Sequence, residues 1–427
     1  MTRTRSVLVN AVIGLILCGG YVVTVHLRPV RNRWWVVDDT WVYLNAAASL
    51  PTGEYRCSLP PDNRYRFARP VGIAAFLWAT GANDTSPPYT MIAAHILLAI
   101  TASVLIATVV GHSPFVLVAM ILQFLPFITV IHSDAFGVSL GYIGLGLVLI
   151  GVHWVIPAAI VGLALVSKST AIIFLLAGAL WFVLRRQYKV GVLFCVVAYI
   201  PVFLWSIYVY TQTGVFTSGT HTLAGNIHSR FIPGLMSGGN PRRHVELVWQ
   251  TFKTDDETIP VQWSDAQRLE WEAEEVHRLL PGLLPRLPRY LLVNTGYILF
   301  GSNQQWRASV DLTVPKWILR PISAILVFLT VVGLYRTWKT QPQLCLVCGL
   351  IVVVCFGLTE FVGATLTARH FLPAAGGLAL LWDRAPSRSL VRHMTCRRSR
   401  SGTSTNCRKR SKRSTDGMIG DSADSPG

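Results

Sequence analysis

Apolar positions in this chain fall in long unbroken runs, not in the alternation of a half-buried strand or the one-sided stripe of a surface helix. From Ala135 to Leu184 the only full charge is Lys168. A bilayer crossing takes about 20 mostly apolar residues, and backbone polar groups are satisfied there only in helices or closed barrels. The pattern predicts about ten membrane helices, over 7–27, 88–110, 114–131, 135–152, 154–168, 169–184, 190–211, 316–336, 343–360 and 364–382. Spans 154–168 and 169–184 are short, as half-helices or strongly tilted helices would be. Pro126, Pro157 and Pro201 lie inside spans and predict kinks. The expected fold class is all-α, a polytopic membrane helix bundle with juxtamembrane helices on its outer side.

Two long polar segments interrupt the runs, 28–88 and 212–315. Within the first, 70–80 is apolar but about half the length of a crossing. If it does not cross and the N-terminus is inside, Arg185, Arg186, Lys189, Arg336 and Lys339 all fall on the cytoplasmic side, as the positive-inside rule requires. Both termini are then cytoplasmic and both long segments face outward, with 70–80 lying on or dipping into the outer surface. In the second segment Ser264 is a natural N-cap for a helix over 265–280, with Pro281, Pro285 and Pro288 breaking the stretch after it and 289–300 forming an interfacial helix. Residues 1–384 read as one membrane domain, and 385–427, rich in Ser, Arg, Gly and Thr, as a disordered basic tail. Arg3 and Arg5 precede an apolar run from Val7 to Val25 that ends in Leu27-Arg28-Pro29, not in a small-residue cleavage site, so a retained first helix is expected.

Composition agrees: of 427 residues, 52% are hydrophobic and 14% charged, against roughly a quarter charged in soluble domains. Trp34, Trp35, Trp154, Trp338 and Trp382 sit at the ends of apolar runs, where amphipathic rings favour the headgroup layer. The net charge of +17 is concentrated in the tail from Arg384 to Arg413. A basic stretch after a membrane helix points to anionic lipid and not to nucleic acid. The 8 cysteines form no disulfide framework, because most lie in apolar runs or in the tail. Cys345-x-x-Cys348 has redox spacing but sits inside a span, where packing is the plainer reading.

The topology then sorts the intramembrane charges, which are costly and tend to be functional. Asp38, Asp39, Asp134, Lys168, Arg369 and His370 all fall at the outer face, and none of them was used to set the topology. Each has a plain alternative. The acidic pair or Asp134 could cap a helix, Lys168 could snorkel to headgroups, Arg369 could hold a lipid phosphate, and His132 and His153 read as interfacial.

The residues carry a resemblance. Val37-Asp38-Asp39-Thr40-Trp41-Val42-Tyr43-Leu44, then Gly53-Glu54-Tyr55, then Arg69-Pro70, resembles the first outer loop of the GT-C class of membrane glycosyltransferases. It is most similar to the dolichyl-phosphate-mannose protein mannosyltransferase branch and its bacterial relatives, the lipid A aminoarabinose transferases and the sugar transferases of lipopolysaccharide core. His132-Ser133-Asp134, Gly162-Leu163-Ala164 through Lys168-Ser169, Val276-His277-Arg278 through Tyr290-Leu291, and Thr367-Ala368-Arg369-His370 through Pro373 come after it in the same order. The chain departs at Val71, where relatives often have a second Pro, at Asp39, where Glu is frequent, and at His370, where Tyr is usual. It is also shorter than the aminoarabinose transferases, and no sizeable soluble C-terminal domain is expected from it.

The resemblance implies transfer of a sugar from a polyprenyl-phosphate donor on the extracytoplasmic face of a cell membrane, bacterial by its nearest relatives. Asp39 or Asp38 would be the base for the acceptor hydroxyl, with Asp134 orienting the acceptor, and Arg69, Lys168 and Arg369 would hold the phosphate. Asp38, Asp39 and Asp134 could together hold Mg²⁺ or Mn²⁺, although some relatives work without metal. The partners expected are the lipid-linked sugar, membrane lipids and an acceptor of open identity. Two other classes stay open: a transporter or flippase of lipid-linked sugars, and a degenerate relative that only scaffolds other proteins.

Overall fold

A computed structural model describes residues 3–27, 33–36, 40–58, 67, 69–217, 223–300, 316–362 and 374–384, and every regular element among them is helical. Three helices are long and apolar enough to cross a membrane: Thr4–Leu27 within α1 (Arg3–Leu27), α4 (Tyr89–Val109) and α9 (Tyr188–Thr213). Shorter apolar helices stand between them, α5 (Pro114–Ile128), α6 (Ser133–Leu149), α7 (Val155–Leu165) and α8 (Ile172–Leu184). At 1.5 Å per residue α6 rises about 25 Å, just under the roughly 30 Å hydrocarbon core. The figure of about ten spans therefore stays a reading of the sequence.

α6 is the hub of the bundle and is buried along most of its length. Small residues let its neighbours come close, as membrane packing favours. A Cβ on Gly141 would run into the Phe174 ring of α8. Pro126 and Pro201 lie inside α5 and α9, whereas Pro157 falls in the first turn of α7, where its missing N–H has no helical partner to lose.

Of the long polar segments, the first carries two short helices, α2 (Thr40–Ser49) and α3 (Val71–Ala79). α3 covers the ambiguous stretch 70–80 and rises only about 14 Å, under half of the hydrocarbon core. Its Ile73 and Leu77 pack with Trp34, Trp35, Tyr43 and Met91. The second segment folds into α10 (Leu223–Asn226), a π turn (Ile227–Phe231), α11 (Ile232–Ser237), α12 (Pro241–Thr258), α13 (Asp265–Leu283) and α14 (Leu287–Phe300). Ser264 caps α13 through a full capping box: its Oγ accepts from Gln267 N (3.3 Å) and its N–H donates to Gln267 Oε1 (2.9 Å).

The prolines after it act differently from the sequence expectation. Helix α13 runs through Pro281 to Leu283. Pro285 and Pro288 each fall in the first two positions of the next turn and helix, where no intrahelical N–H bond is lost.

Two more long helices, α15 (Lys316–Thr340) and α16 (Pro342–Val362), and the short α17 (Ala375–Arg384) complete the bundle. Its ends are chemically distinct. At one end Asn10 Nδ2 donates to His112 O (3.3 Å), Ser113 Oγ to Asp383 Oδ1 (2.7 Å) and Gln343 Nε2 to Leu184 O (3.3 Å). The first two bonds tie α1 and α17 to the α4–α5 turn, and the third ties the α15–α16 turn to the end of α8. The other end gathers the α5–α6 connection, the α7–α8 connection and the two short helices α2 and α3. The basic tail lies outside the described residues.

Candidate functional site at the α6 end of the bundle

α6 begins at Ser133, directly after His132, whose extended backbone (φ −154°, ψ 155°) places its ring over the helix start. Asp134 occupies the first turn, where the exposed N–H groups of a helix favour negative charge. It is fully buried. Its Oδ1 meets Lys168 Nζ at 2.7 Å, and its Oδ2 contacts His132 Nδ1. The same Nδ1 lies 3.3 Å from the Asp134 backbone N–H. Lys168 follows the end of α7 in an extended conformation (φ −151°, ψ 118°) with its side chain only 12% exposed. Gly137 makes room for it: a Cβ there would sit 2.6 Å from Lys168 Cβ. The ion pair therefore depends on one glycine, one turn along α6.

Arg69 arrives from a different stretch of chain. Gly72 N donates to Val166 O (2.9 Å), and a Cβ on Gly72 would collide with Ser167, so the start of α3 lies directly on the α7–α8 connection. Tyr55, of the Gly53-Glu54-Tyr55 stretch, donates its hydroxyl to Arg69 O (2.8 Å) and stands edge-on to Trp205 of α9 (4.8 Å). Tyr208 in turn donates to Gly53 O (3.1 Å). This stretch thus anchors the Arg69 backbone to the end of α9. The Arg69 guanidinium lies 5.5 Å from the ring centroid of Tyr43, a cation–π distance. Tyr43 closes the group, edge-on to His132 (5.3 Å) with its hydroxyl 3.2 Å from Ser133 Oγ.

Of the residues singled out from sequence, Asp134, Lys168 and Arg69 come together here with Tyr43 and His132. Asp38, Asp39, Arg369 and His370 lie outside the described residues. The described residues flanking the acidic pair are pinned beside the site: Ile131 N donates to Trp35 O (3.0 Å), and Thr40 Oγ1 donates to Ile131 O (3.4 Å). The helix after Arg369 is held against α6, with Gly376 N donating to Tyr142 Oη (2.6 Å). His132, read from sequence as an interfacial residue, is buried in the cluster.

The divalent-cation expectation rests on Asp38 and Asp39 as well, which lie outside the described residues, and at Asp134 one carboxylate oxygen is already held by an ammonium and the other by an imidazole nitrogen. Mg²⁺ or Mn²⁺ requires those oxygens as free donors. Among the described residues no group of three or more His, Cys, Asp or Glu is placed to hold a metal.

A second polar cluster has no local signal in the sequence. In the outer segment, His228 Nε2 lies 3.1 Å from Asp255 Oδ1, and Arg268 Nε lies 3.6 Å from Glu272 Oε1, all four largely buried. Burial raises the Glu272 carboxyl, with Arg268 and His228 pulling it down. His244 Nε2 donates to Arg230 O (2.9 Å), and burial lowers its imidazole. Burial raises the Cys57 thiol, and Asp265, at the start of α13, adds a small push in the same direction.

No protein-family model matches the chain, and no curated protein matches it in sequence. Among solved structures the chain is similar to the oligosaccharyltransferase of Archaeoglobus fulgidus in its apo form, at 11% identity and a TM-score of 0.49 over 94% of this chain and 52% of that one. It is also similar to the archaeal oligosaccharyltransferase of the same organism in complex with an inhibitory peptide and a dolichol-phosphate, at 13% identity and a TM-score of 0.49 over 95% and 52%. The chain spans about half the length of either structure's chain. A likeness this distant assigns no residue and no reaction.

Proposed function

We propose that this protein is a multi-pass membrane glycosyltransferase of the GT-C type that moves a sugar from a polyprenyl-phosphate donor to an acceptor on the extracytoplasmic face. The observation that carries the reading is the meeting of Tyr43, Arg69, His132, Asp134 and Lys168 at one end of the bundle, from stretches scattered over the first 170 or so residues. These are the stretches whose order resembles that family.

In the proposed reaction the Asp39 carboxylate takes the proton of the acceptor hydroxyl. The acceptor oxygen bonds to the anomeric carbon, and the bond from that carbon to the phosphate oxygen breaks. Polyprenyl monophosphate leaves with one more negative charge. Arg69, Lys168 and Arg369 meet that charge, Arg through two-pronged contacts and Lys as a point charge. No step is assigned to a metal.

A transporter of lipid-linked sugars is the competing reading. It favours charge near mid-bilayer and related halves. The Asp134–Lys168 pair instead sits where α6 begins and α7 ends.

The test is transfer by purified full-length protein, with donor binding measured on the same samples. Asp39→Asn should lower turnover about 10²–10⁴-fold, the range for loss of a general base, while leaving donor binding intact. Arg369→Ala should weaken donor binding instead. Parent-level transfer by both Asp38→Asn and Asp39→Asn would overturn the mechanism.

A further inference from the structure

Lys168 and Asp134 form a buried pair whose ammonium end retains slight exposure, 12% against 1% for the carboxylate side chain. An ammonium has three donors in tetrahedral array. One is spent on Asp134 Oδ1, and the others are left for further acceptors. The carboxylate is held on its other side by His132, whose ring is fixed in turn by the edge of Tyr43. Gly137 fixes the lysine stem at its root. The site therefore holds a standing positive charge whose position is set from both ends of the side chain. A departing phosphate needs such a charge in place before reaction, whether an ammonium or a divalent ion supplies it.

We infer that Lys168 takes the place of a divalent cation at this site, with Asp134 and His132 as positioning residues that aim its ammonium at the phosphate of a polyprenyl monophosphate. The inference rests on the proposed function and deepens it. Asp134 is then neither base nor metal ligand. It cancels the cost of keeping an ammonium out of water and fixes the angle at which that ammonium faces the ligand. His132 keeps the carboxylate from rotating away. Arg69, over the Tyr43 ring that itself stands edge-on to His132, supplies the second cation.

The experiment uses the full-length protein in detergent, with undecaprenyl monophosphate as the probe, so no donor sugar need be known. Equilibrium binding is measured in EDTA and in Mn²⁺. The parent should bind equally in both, within about twofold. Lys168→Gln should weaken binding about tenfold to a hundredfold, the worth of a charge-assisted contact, and Lys168→Arg should restore most of it. Asp134→Asn should weaken it about threefold to tenfold, because the ammonium is no longer aimed. The double variant Asp134→Asn/Lys168→Gln removes both buried charges, so it should fold even where a single variant does not. It should bind as poorly as Lys168→Gln, and Mn²⁺ should not rescue it. A parent that binds the probe only with Mn²⁺ overturns this inference and leaves the glycosyltransferase reading standing. A parent that binds no polyprenyl monophosphate in either condition overturns both.

Discussion

The two ends of the bundle treat charge in opposite ways. Where α6 begins, Asp134 and His132 are buried, and Lys168, half-buried with its side chain 12% exposed, meets the Asp134 carboxylate from the end of α7. At the opposite end Arg185, Arg186, Lys189 and Lys339 are exposed, and among the described residues none has a carboxylate within ion-pair distance. Arg185 lies over Trp181 (4.5 Å) and Lys339 over Tyr335 (4.4 Å), cations resting on aromatic rings. Exposed charge of this kind needs no fixed partner, and it is the charge on which the positive-inside reading of the sequence rests. Charge at the first end is costly to bury and is kept only in one geometry. Exposure and pairing therefore separate the charges of the two ends more sharply than sequence position does.

The largest expected effect breaks the buried pair. Removing one partner of a buried ion pair costs about 3–5 kcal/mol, because the other charge is left uncompensated. Asp134→Asn and Lys168→Gln should each lower stability by about that much in chemical unfolding of the solubilised protein, and the double variant by clearly less than the sum. Additive losses would mean that the two side chains do not share an interaction.

Next comes the steric support of the pair. Gly137→Ala adds a methyl where Lys168 Cβ already stands, and overpacking of this kind costs about 1–3 kcal/mol. The same unfolding measurement checks it. A neutral result would show that the lysine stem can move aside, so that Gly137 has no part in aiming it.

Much of this is legible in the chain, and the failures are instructive. The run of apolar residues around Lys168, and Asp134 just after a span, mark both as costly, and positive-inside reasoning puts them on one face. Ser264 announces α13 through its capping box with Gln267. What is not legible comes from contacts between distant segments. Nothing near His132 in sequence says that Tyr43, 89 residues away in the chain by their numbering, will take its ring edge-on. His228, Asp255, Arg268 and Glu272 likewise look like ordinary polar surface residues until α12 and α13 close over them. Pro281 misleads because α13 carries it to Leu283 even though a proline there forfeits one i→i−4 N–H bond, so the helix ends two residues later than the proline alone suggests.

The outer segment offers a smaller effect, set by pH. His244 is buried and its imidazole is lowered by that burial. A lowered base is neutral in the fold, so its stability is fully present above its ordinary value of about 6.5 and is lost as pH falls through the lowered folded value. The melting temperature should therefore drop on acidification below pH of about 6.5, with a slope of at most about 1.4 kcal/mol per pH unit for one proton. His244→Gln keeps an amide donor for Arg230 O and cannot titrate. The acid sensitivity of the parent should shrink in this variant, and an unchanged pH profile would assign it to other groups.

The smallest effect on stability belongs to the basic end, and it sharpens the comparison from the other side. Arg185→Gln removes an exposed cation from a ring face, worth about 0.5–1 kcal/mol at an exposed site. Stability should shift by no more than that, in contrast to Lys168→Gln. The readout that should move is orientation. Reporter fusions at Gln187 and Ser264 should report opposite sides in the parent, Gln187 cytoplasmic and Ser264 outside. One lost arginine should leave that unchanged, since Arg186 and Lys189 still hold the turn inside. Arg185→Gln, Arg186→Gln and Lys189→Gln combined remove the whole local bias and should give a mixed population at Gln187. If the parent already reports the same side at Gln187 and Ser264, the order of crossings is wrong. Gln187 on the outer side would put the buried pair on the cytoplasmic face, where the proposed transfer does not occur.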